Sequence, residues 1–404
     1  MNVKKVAAVI AAVLVLLAGG IYLFLARPWS QYSLLEMNSL FAASKRVSNF
    51  RHMDQIFPAE PIAGAPRRSE FRRRERPLRV RYRFGGEERN LGGFLRRVSA
   101  TGLLVVKDGR IVHERYLQGG APGSRFTSWS MAKSFVATLV GQALAEGRIE
   151  SLEDLIGDYV PELAGGAYGS VPIRHVLQMS SGIDFDETYD SRFSDINLFF
   201  LKLFVLGRSA GSVIGDYDSA GPSGREFHYA SIDTQALGML VSAVYGRPLT
   251  EVLEERLWHR LGGASAYWNI DDTDGSGTPI AFCCLNARLR DYARLGQLYL
   301  QQGRWRGERL LPAGWVRRAT TPGAPFLQPG ALPERYGSRG YQYQWWVPKG
   351  SRREYFAAGI WGQYIYVSEP DGVVIVRTAA DPDYREHGEE SIAVFRAIGD
   401  ALNP

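Results

Sequence analysis

The chain has 404 residues with 45% hydrophobic content, ample for a large core and suited to one catalytic unit carrying an inserted subdomain. Its formal charge of +6 is concentrated in Arg72, Arg73, Arg74, Arg76, Arg79, Arg81 and Arg83. No aromatic-rich RNA-binding motif or zinc-ligand spacing accompanies that cluster, so it reads as a solvated or phospholipid-facing segment and no nucleic-acid partner is expected. The two cysteines, Cys283 and Cys284, are adjacent, which excludes a loop-closing disulfide framework; they read as small core residues.

Lys4 and Lys5 precede an uncharged run, Val6 through Ala26, that ends at Arg27-Pro28-Trp29. About 20 apolar residues span a bilayer as a helix. Tyr22-Leu23-Phe24-Leu25 suits signal cleavage poorly, so the expectation is an uncleaved signal-anchor. Residues 1–5 would be cytoplasmic and 6–26 transmembrane. In a bacterial cell this is the inner membrane, with the body in the periplasm or on the outer cell surface. Residues 27–90, with Pro58, Pro61, Pro66 and little periodicity, read as a membrane-proximal linker or wrapping arm.

The domain itself is expected over 91–404. Leu103 to Lys107 and Arg110 to Tyr116 flank the turn Asp108-Gly109 as a hairpin. Residues 149–260 are read as mostly helical, with helical spacing at Leu152 to Tyr159 and Ile173 to Met179 and a loop then helix over Arg225 to Tyr245. Asn286 to Gly303 is an amphipathic helix. Strand patterns return at Tyr341 to Val347, Tyr355 to Ala358, Tyr364 to Val367 and Val373 to Arg377, and Glu389 to Leu402 closes the chain as a helix. Strands at both ends with helices between imply an α/β (α+β) fold: one antiparallel sheet flanked by helices, with an inserted all-helical subdomain.

Three stretches carry chemistry. Ser130-Met131-Ala132-Lys133 opens a helix, so Ser130 and Lys133 share a face one turn apart. The helix N-terminus favours an oxyanion at Ser130, and burial among apolar neighbours would depress the Lys133 pKa until it can accept the serine proton. Taken alone, the same four residues also describe an N-cap and a solvated lysine. Tyr229, in Phe227-His228-Tyr229-Ala230-Ser231, stands at a helix entrance; beside a lysine ammonium its phenolate could serve as a general base, though a packing tyrosine fits equally. Gly359-Ile360-Trp361-Gly362 permits close backbone approach and could supply an oxyanion N–H, or be an ordinary turn. No histidine pair has ligand spacing and no phosphate-binding glycine motif occurs, so neither a metal nor a cofactor is expected.

Together these motifs resemble the serine hydrolases related to β-lactamases and penicillin-binding proteins, whose Ser-x-x-Lys motif Ser130 and Lys133 match. Tyr229-Ala230-Ser231 is similar to the Tyr-x-Asn or Tyr-x-Ser motif of the class C, esterase and D-peptidase branches. Pro172 to Gly182 and Arg290 to Gly296 look alike too. With Gly359 to Gln363 at the third site, the chain most resembles aminohexanoate-dimer (nylon-oligomer) hydrolases and class C-like esterases. The resemblance implies a β-lactamase/transpeptidase-like fold and a membrane-anchored hydrolase that cleaves small-molecule esters or amides through an acyl-enzyme. Ser130 would be the nucleophile, and Tyr229 coupled to Lys133 the base. The second oxyanion donor would be Ile360, or Gln363 in a shifted register. Substrate contacts are implied for Tyr189, Ser231, Asn286 and Trp361. The superfamily's Lys-Thr-Gly or His-Thr-Gly is replaced by Ala357-Ala358-Gly359, so the usual cation is missing, and Arg208 or Arg225 could substitute for it. Competing readings are a penicillin-interactive D-peptidase or β-lactamase, and an inactive cell-envelope binding relative. The oligomeric state is not encoded in any of these features.

Overall fold

The structure, a computed structural model, describes residues 3–30, 32–272 and 277–403; Met1 and Asn2 of the expected cytoplasmic segment lie outside them. Strands from the two ends of the chain meet in the main sheet. They are β1 (Ala100–Lys107), β2 (Arg110–Tyr116), β3 (Gly340–Gln342), β4 (Trp345–Val347), β5 (Glu354–Gly359), β6 (Gln363–Ser368) and β7 (Val373–Ala379), in the spatial order β3-β4-β5-β6-β7-β1-β2. All these pairings are antiparallel; a two-residue strand, Arg72–Arg73, adds to β2 in parallel. The unbroken apolar run Leu103 to Val106 is fully buried, as a strand covered on both faces requires.

The principal helices are α1 (Val3–Ala26), α2 (Leu34–Asn38), α3 (Ala132–Ala145), α4 (Asp195–Phe204), α5 (Ser231–Tyr245), α6 (Leu289–Leu300) and α7 (Gly388–Leu402). α6 lies on one face of the sheet, so close that a Cβ on Gly296 would stand 2.5 Å from Val374 Cγ1. α7 covers the other face, where Phe395 packs on Tyr364 and Tyr366 with ring centroids 5.4 and 5.3 Å apart. α3 and α5 pack against each other, α3 buried throughout Ala132 to Ala143 and α5 throughout Ser231 to Gly238. Between residues 149 and 260 the described elements are helices and turns; Leu152 to Tyr159 is helical only over Ile156–Tyr159.

Two features differ from the sequence expectation. Tyr341 to Val347 is a hairpin, β3 and β4, rather than one strand, because Tyr343 and Gln344 both adopt positive φ (36° and 66°), the geometry of a tight two-residue turn. Gln344 accepts that conformation because buried partners consume its polar groups. Its backbone carbonyl takes the Ser134 hydroxyl at 2.7 Å, its Oε1 takes that of Thr234 at 3.0 Å, and its Nε2 donates to Leu177 O at 3.1 Å. The turn thereby ties α3 to α5. Second, a four-stranded antiparallel sheet joins Ala59–Ile62, Ala266–Asn269, Leu285–Ala287 and Phe126–Thr127. Residues 27–90 contribute its first strand. Its last leads straight into the Ser130 turn, anchored where Ser128 N donates to Leu285 O at 2.8 Å.

Candidate active site

Ser130 sits in a 3-10 turn, Trp129–Met131, that runs directly into α3. Trp129 before it has φ of 43°, and Lys133 follows in the first turn of the helix. Lys133 Nζ lies 3.2 Å from Ser130 Oγ, 3.0 Å from Ser231 Oγ and 3.0 Å from the Phe282 carbonyl oxygen. It also stands 5.3 and 5.1 Å from the ring centroids of Tyr229 and Phe282. Only 1% of Lys133 is exposed. Burial pulls its pKa from 10.5 down to about 7, with the carboxylates of Glu187 and Asp233 opposing the fall.

Ser231 opens α5 and is held by Glu187, whose carboxylate accepts its N–H at 2.9 Å and its hydroxyl at 2.6 Å. Tyr189 also donates to Glu187, at 2.5 Å. Tyr229 is buried against Trp346 and Tyr341. Burial, and then the Glu187 charge, hold its phenol well above the ordinary range, and hydrogen bonding with Ser130 offsets only part of this. The free site therefore keeps Tyr229 as a phenol and poises Lys133 near neutrality. Burial thus works against the phenolate form expected at Tyr229, and the lysine beside it is itself desolvated.

The end of β5 closes the other side. A Cβ on Gly359 would meet Ser128 O at 2.5 Å and Ser130 N at 3.1 Å, so only glycine allows the strand end, with Ile360 next, to lie against the Ser130 turn. Gln363 begins β6 opposite Gly359 and pins the turn, its Nε2 donating to Ile360 O at 3.2 Å and to Ala379 O at 2.8 Å. Trp361, at φ 61°, stacks on Phe41 with centroids 5.3 Å apart. Phe41 also packs on Trp129, so residues from the 27–90 arm flank the serine.

A serine beside a buried lysine near its neutral form and a phenol, with a glycine strand end packed against the serine turn, can perform nucleophilic acyl transfer. Residues 88–397 match the Beta-lactamase family. The chain belongs to that family. It is 30% identical over 309 residues to a 6-aminohexanoate-dimer hydrolase of Paenarthrobacter ureafaciens, covering 73% of this chain and 78% of the relative. The fold matches a Bacillus anthracis protein named as a candidate 6-aminohexanoate-dimer hydrolase, with a TM-score of 0.79 and 22% identity, over 92% of this chain and 97% of that one. It also matches the octameric penicillin-binding protein homologue of Pyrococcus abyssi, with a TM-score of 0.55 and 16% identity, over 75% of this chain and 76% of that one. The chain is thus a hydrolase-family protein with a mixed α/β, β-lactamase/transpeptidase-like fold.

Within this family fold, Ser130, Lys133, Tyr229 and Ser231 converge, and Ser130, Tyr189, Ile360 and Trp361 line one cavity of about 990 Å³. Asn286 does not line it. Asn286 is fully buried, donating to Asn269 Oδ1 at 2.9 Å and Cys284 O at 2.7 Å, and so braces the Cys283-Cys284 loop. Those two cysteines are buried but form a disulfide with each other, which corrects their reading as plain core residues, and they face the cavity. Arg208 is tied to Asp216 at 2.9 Å and Arg225 is exposed; the arginines that line the cavity are Arg192 and Arg385. Sequence reading missed Glu187 and the Phe282 carbonyl. Glu187 could have been flagged as an acidic residue two positions before Tyr189; nothing local marks a backbone carbonyl. Among the described residues no cluster of metal-ligating side chains occurs.

Proposed function

We propose that this chain is a membrane-tethered serine hydrolase that cleaves ester or amide bonds through an acyl-enzyme on Ser130. The observation that carries the reading is the 3.2 Å approach of Ser130 Oγ to a buried lysine titrating near 7. Neutral Lys133 takes the hydroxyl proton as Oγ bonds to the carbonyl carbon, and the displaced electron pair settles on the carbonyl oxygen. The N–H groups of Ser130 and Ile360 receive that oxyanion. Collapse breaks the bond to the leaving group, which takes the Tyr229 phenolic proton, and the Lys133 ammonium restores it. Water attacks the acyl carbon by the same path in reverse and frees Ser130. Ser231 and Glu187 hold Lys133 in register. The relative named for a 6-aminohexanoate dimer supports a linear amide among the substrates.

The tether reading is supported by α1, a 24-residue helix containing an 18-residue stretch of mean hydropathy 2.7, with none of its residues buried. Peptide mapping after fluorophosphonate treatment is expected to place the adduct on Ser130, with Ser130→Ala inactive. An adduct elsewhere, or full activity in Ser130→Ala, ends the hydrolase reading. The full chain is expected to fractionate with membranes; a processed N-terminus near Arg27 would instead establish a cleaved signal.

A further inference from the structure

The cavity that holds Ser130 is not closed at the catalytic end. It runs from Ser130, Ile360 and Trp361 to Phe24 and Leu25 in the last turn of α1, with Leu35 of α2 and Phe200, Leu201 and Phe204 of α4 along its apolar side. Arg27, just past α1, donates to Phe204 O at 2.8 Å and fixes the helix end to α4. The charged lining residues, Asp190, Arg192, Asp383, Arg385 and Glu386, come from two other segments of the chain, with Arg385 donating to Asp190 at 2.7 Å. The cavity is thus two-sided, and its apolar side ends where α1 leaves the domain. A 24-residue helix is about 36 Å long, enough to cross a hydrocarbon core of about 30 Å, which sets Phe24 and Leu25 at the outer membrane–water boundary. On this apolar side Phe24, Leu35 and Leu201 are exposed, an apolar surface that an aqueous setting does not favour.

Building on the hydrolase and tether readings above, we infer that the physiological substrate is an amphiphile: an ester or amide carrying a long apolar chain, drawn from the outer leaflet. Its chain lies between α1, α2 and α4. Its carbonyl reaches Ser130, and its polar part faces Asp190, Arg192 and Arg385. A cavity at the upper end of the ~300–1,000 Å³ range for small-molecule sites has room for such a ligand, and the vicinal cysteines and Phe282 add to its wall.

The test is kcat/KM of the full-length protein in mixed micelles, expressed on the free aqueous ester concentration, for p-nitrophenyl butyrate, octanoate and dodecanoate, with fluorophosphonate labelling of Ser130 run in parallel. Each methylene buried in the transition state gives about fourfold, so the dodecanoate-to-butyrate ratio is expected to reach at least about a hundredfold. Leu201→Asp is expected to cut that ratio by at least about tenfold; being a ratio within one preparation, it is insensitive to the fraction folded. Placing the dodecanoate ester in phosphatidylglycerol vesicles is expected to raise turnover over the same ester in solution. A flat or falling chain-length profile with Ser130 labelled overturns the chain-pocket inference and leaves the hydrolase reading standing. A rising profile with no gain from vesicles overturns delivery from the bilayer. Absence of both labelling and hydrolysis removes the hydrolase reading and this inference with it.

Discussion

Glu187 grips Ser231 twice, accepting its N–H at 2.9 Å and its hydroxyl at 2.6 Å. Ser231 in turn accepts from Lys133 at 3.0 Å, so the carboxylate acts on the lysine across a single hydroxyl.

That relationship sets a pH profile. In the proposed mechanism the neutral lysine is the active form, so kcat/KM for an uncharged ester is expected to rise with pH through about 7 and then level off. Glu187 raises the Lys133 pKa against burial. Glu187→Gln is therefore expected to move the rising limb to lower pH, and to lower the Tyr229 phenol as well, since Glu187 is second to burial in holding it up. Profiles of the two proteins check this; an unmoved limb would detach Glu187 from the lysine.

The same burial has a stability consequence. Lys133 titrates near 7 when folded and near ~10.4 when unfolded. Between those values the unfolded chain binds more protons, so this group's destabilising effect is full below about 7 and is relieved as pH rises toward ~10.4. Lys133→Met is expected to raise stability at pH 6.5, to flatten that slope, and to cut activity by at least about a hundredfold. Urea unfolding at pH 6.5 and 9, beside an activity assay, reads all three.

Anionic substrates are expected to be poor. Neither Ala357-Ala358 in β5 nor Ile360-Trp361 in the turn after it, the two registers of the third motif, offers a cation, Arg385 is engaged by Asp190, and Arg192 is exposed, where solvent screens it. A lost charge-assisted bond is worth about 1.5–3 kcal/mol, so nitrocefin and a D-Ala-D-Ala peptide are expected to turn over roughly tenfold to a hundredfold more slowly than p-nitrophenyl butyrate, each corrected for its uncatalysed rate. If either anionic substrate wins, the enzyme is a D-peptidase or β-lactamase.

The Tyr343-Gln344 turn offers a structural test. Gln344→Ala strands the Thr234 hydroxyl and the Leu177 carbonyl without their partner and keeps a positive φ on a residue with a Cβ. A loss of about 3 kcal/mol or more is expected. Gln344→Gly loses the same side-chain bonds but relaxes the backbone, and is expected to recover about 1 kcal/mol of it. Denaturant midpoints of the two variants decide; equal values would remove the strain from the account.

By itself the sequence determined what local pattern can encode. Ser130 and Lys133 share a helix face because helical periodicity puts residues three apart side by side. The apolar runs at Leu103 to Val106 and Val373 to Val376 had to be sheltered strands, and the uncharged stretch Val6 to Ala26 had to be a helix. Glycine at 359 announced a close approach. Other features depended on partners far away in the chain. Lys133 is held by Ser231, 98 positions on, and by the Phe282 carbonyl, 149 positions on. Its poise near neutrality is a desolvation effect summed over all the groups that exclude water from it, and the same exclusion keeps Tyr229 protonated. No spacing rule carries such sums. The turn at Tyr343-Gln344, unfavourable by local propensity, persists because α3, α5 and Leu177 supply its hydrogen bonds. Asn286 resembles a site residue in the chain and is a buried brace in the fold. The arm over 27–90 shows little periodicity, yet it completes a sheet and flanks the serine with Phe41. Only the folded chain joins the end of α1 to the catalytic cavity, because contact between them needs α2 and α4 packed in between.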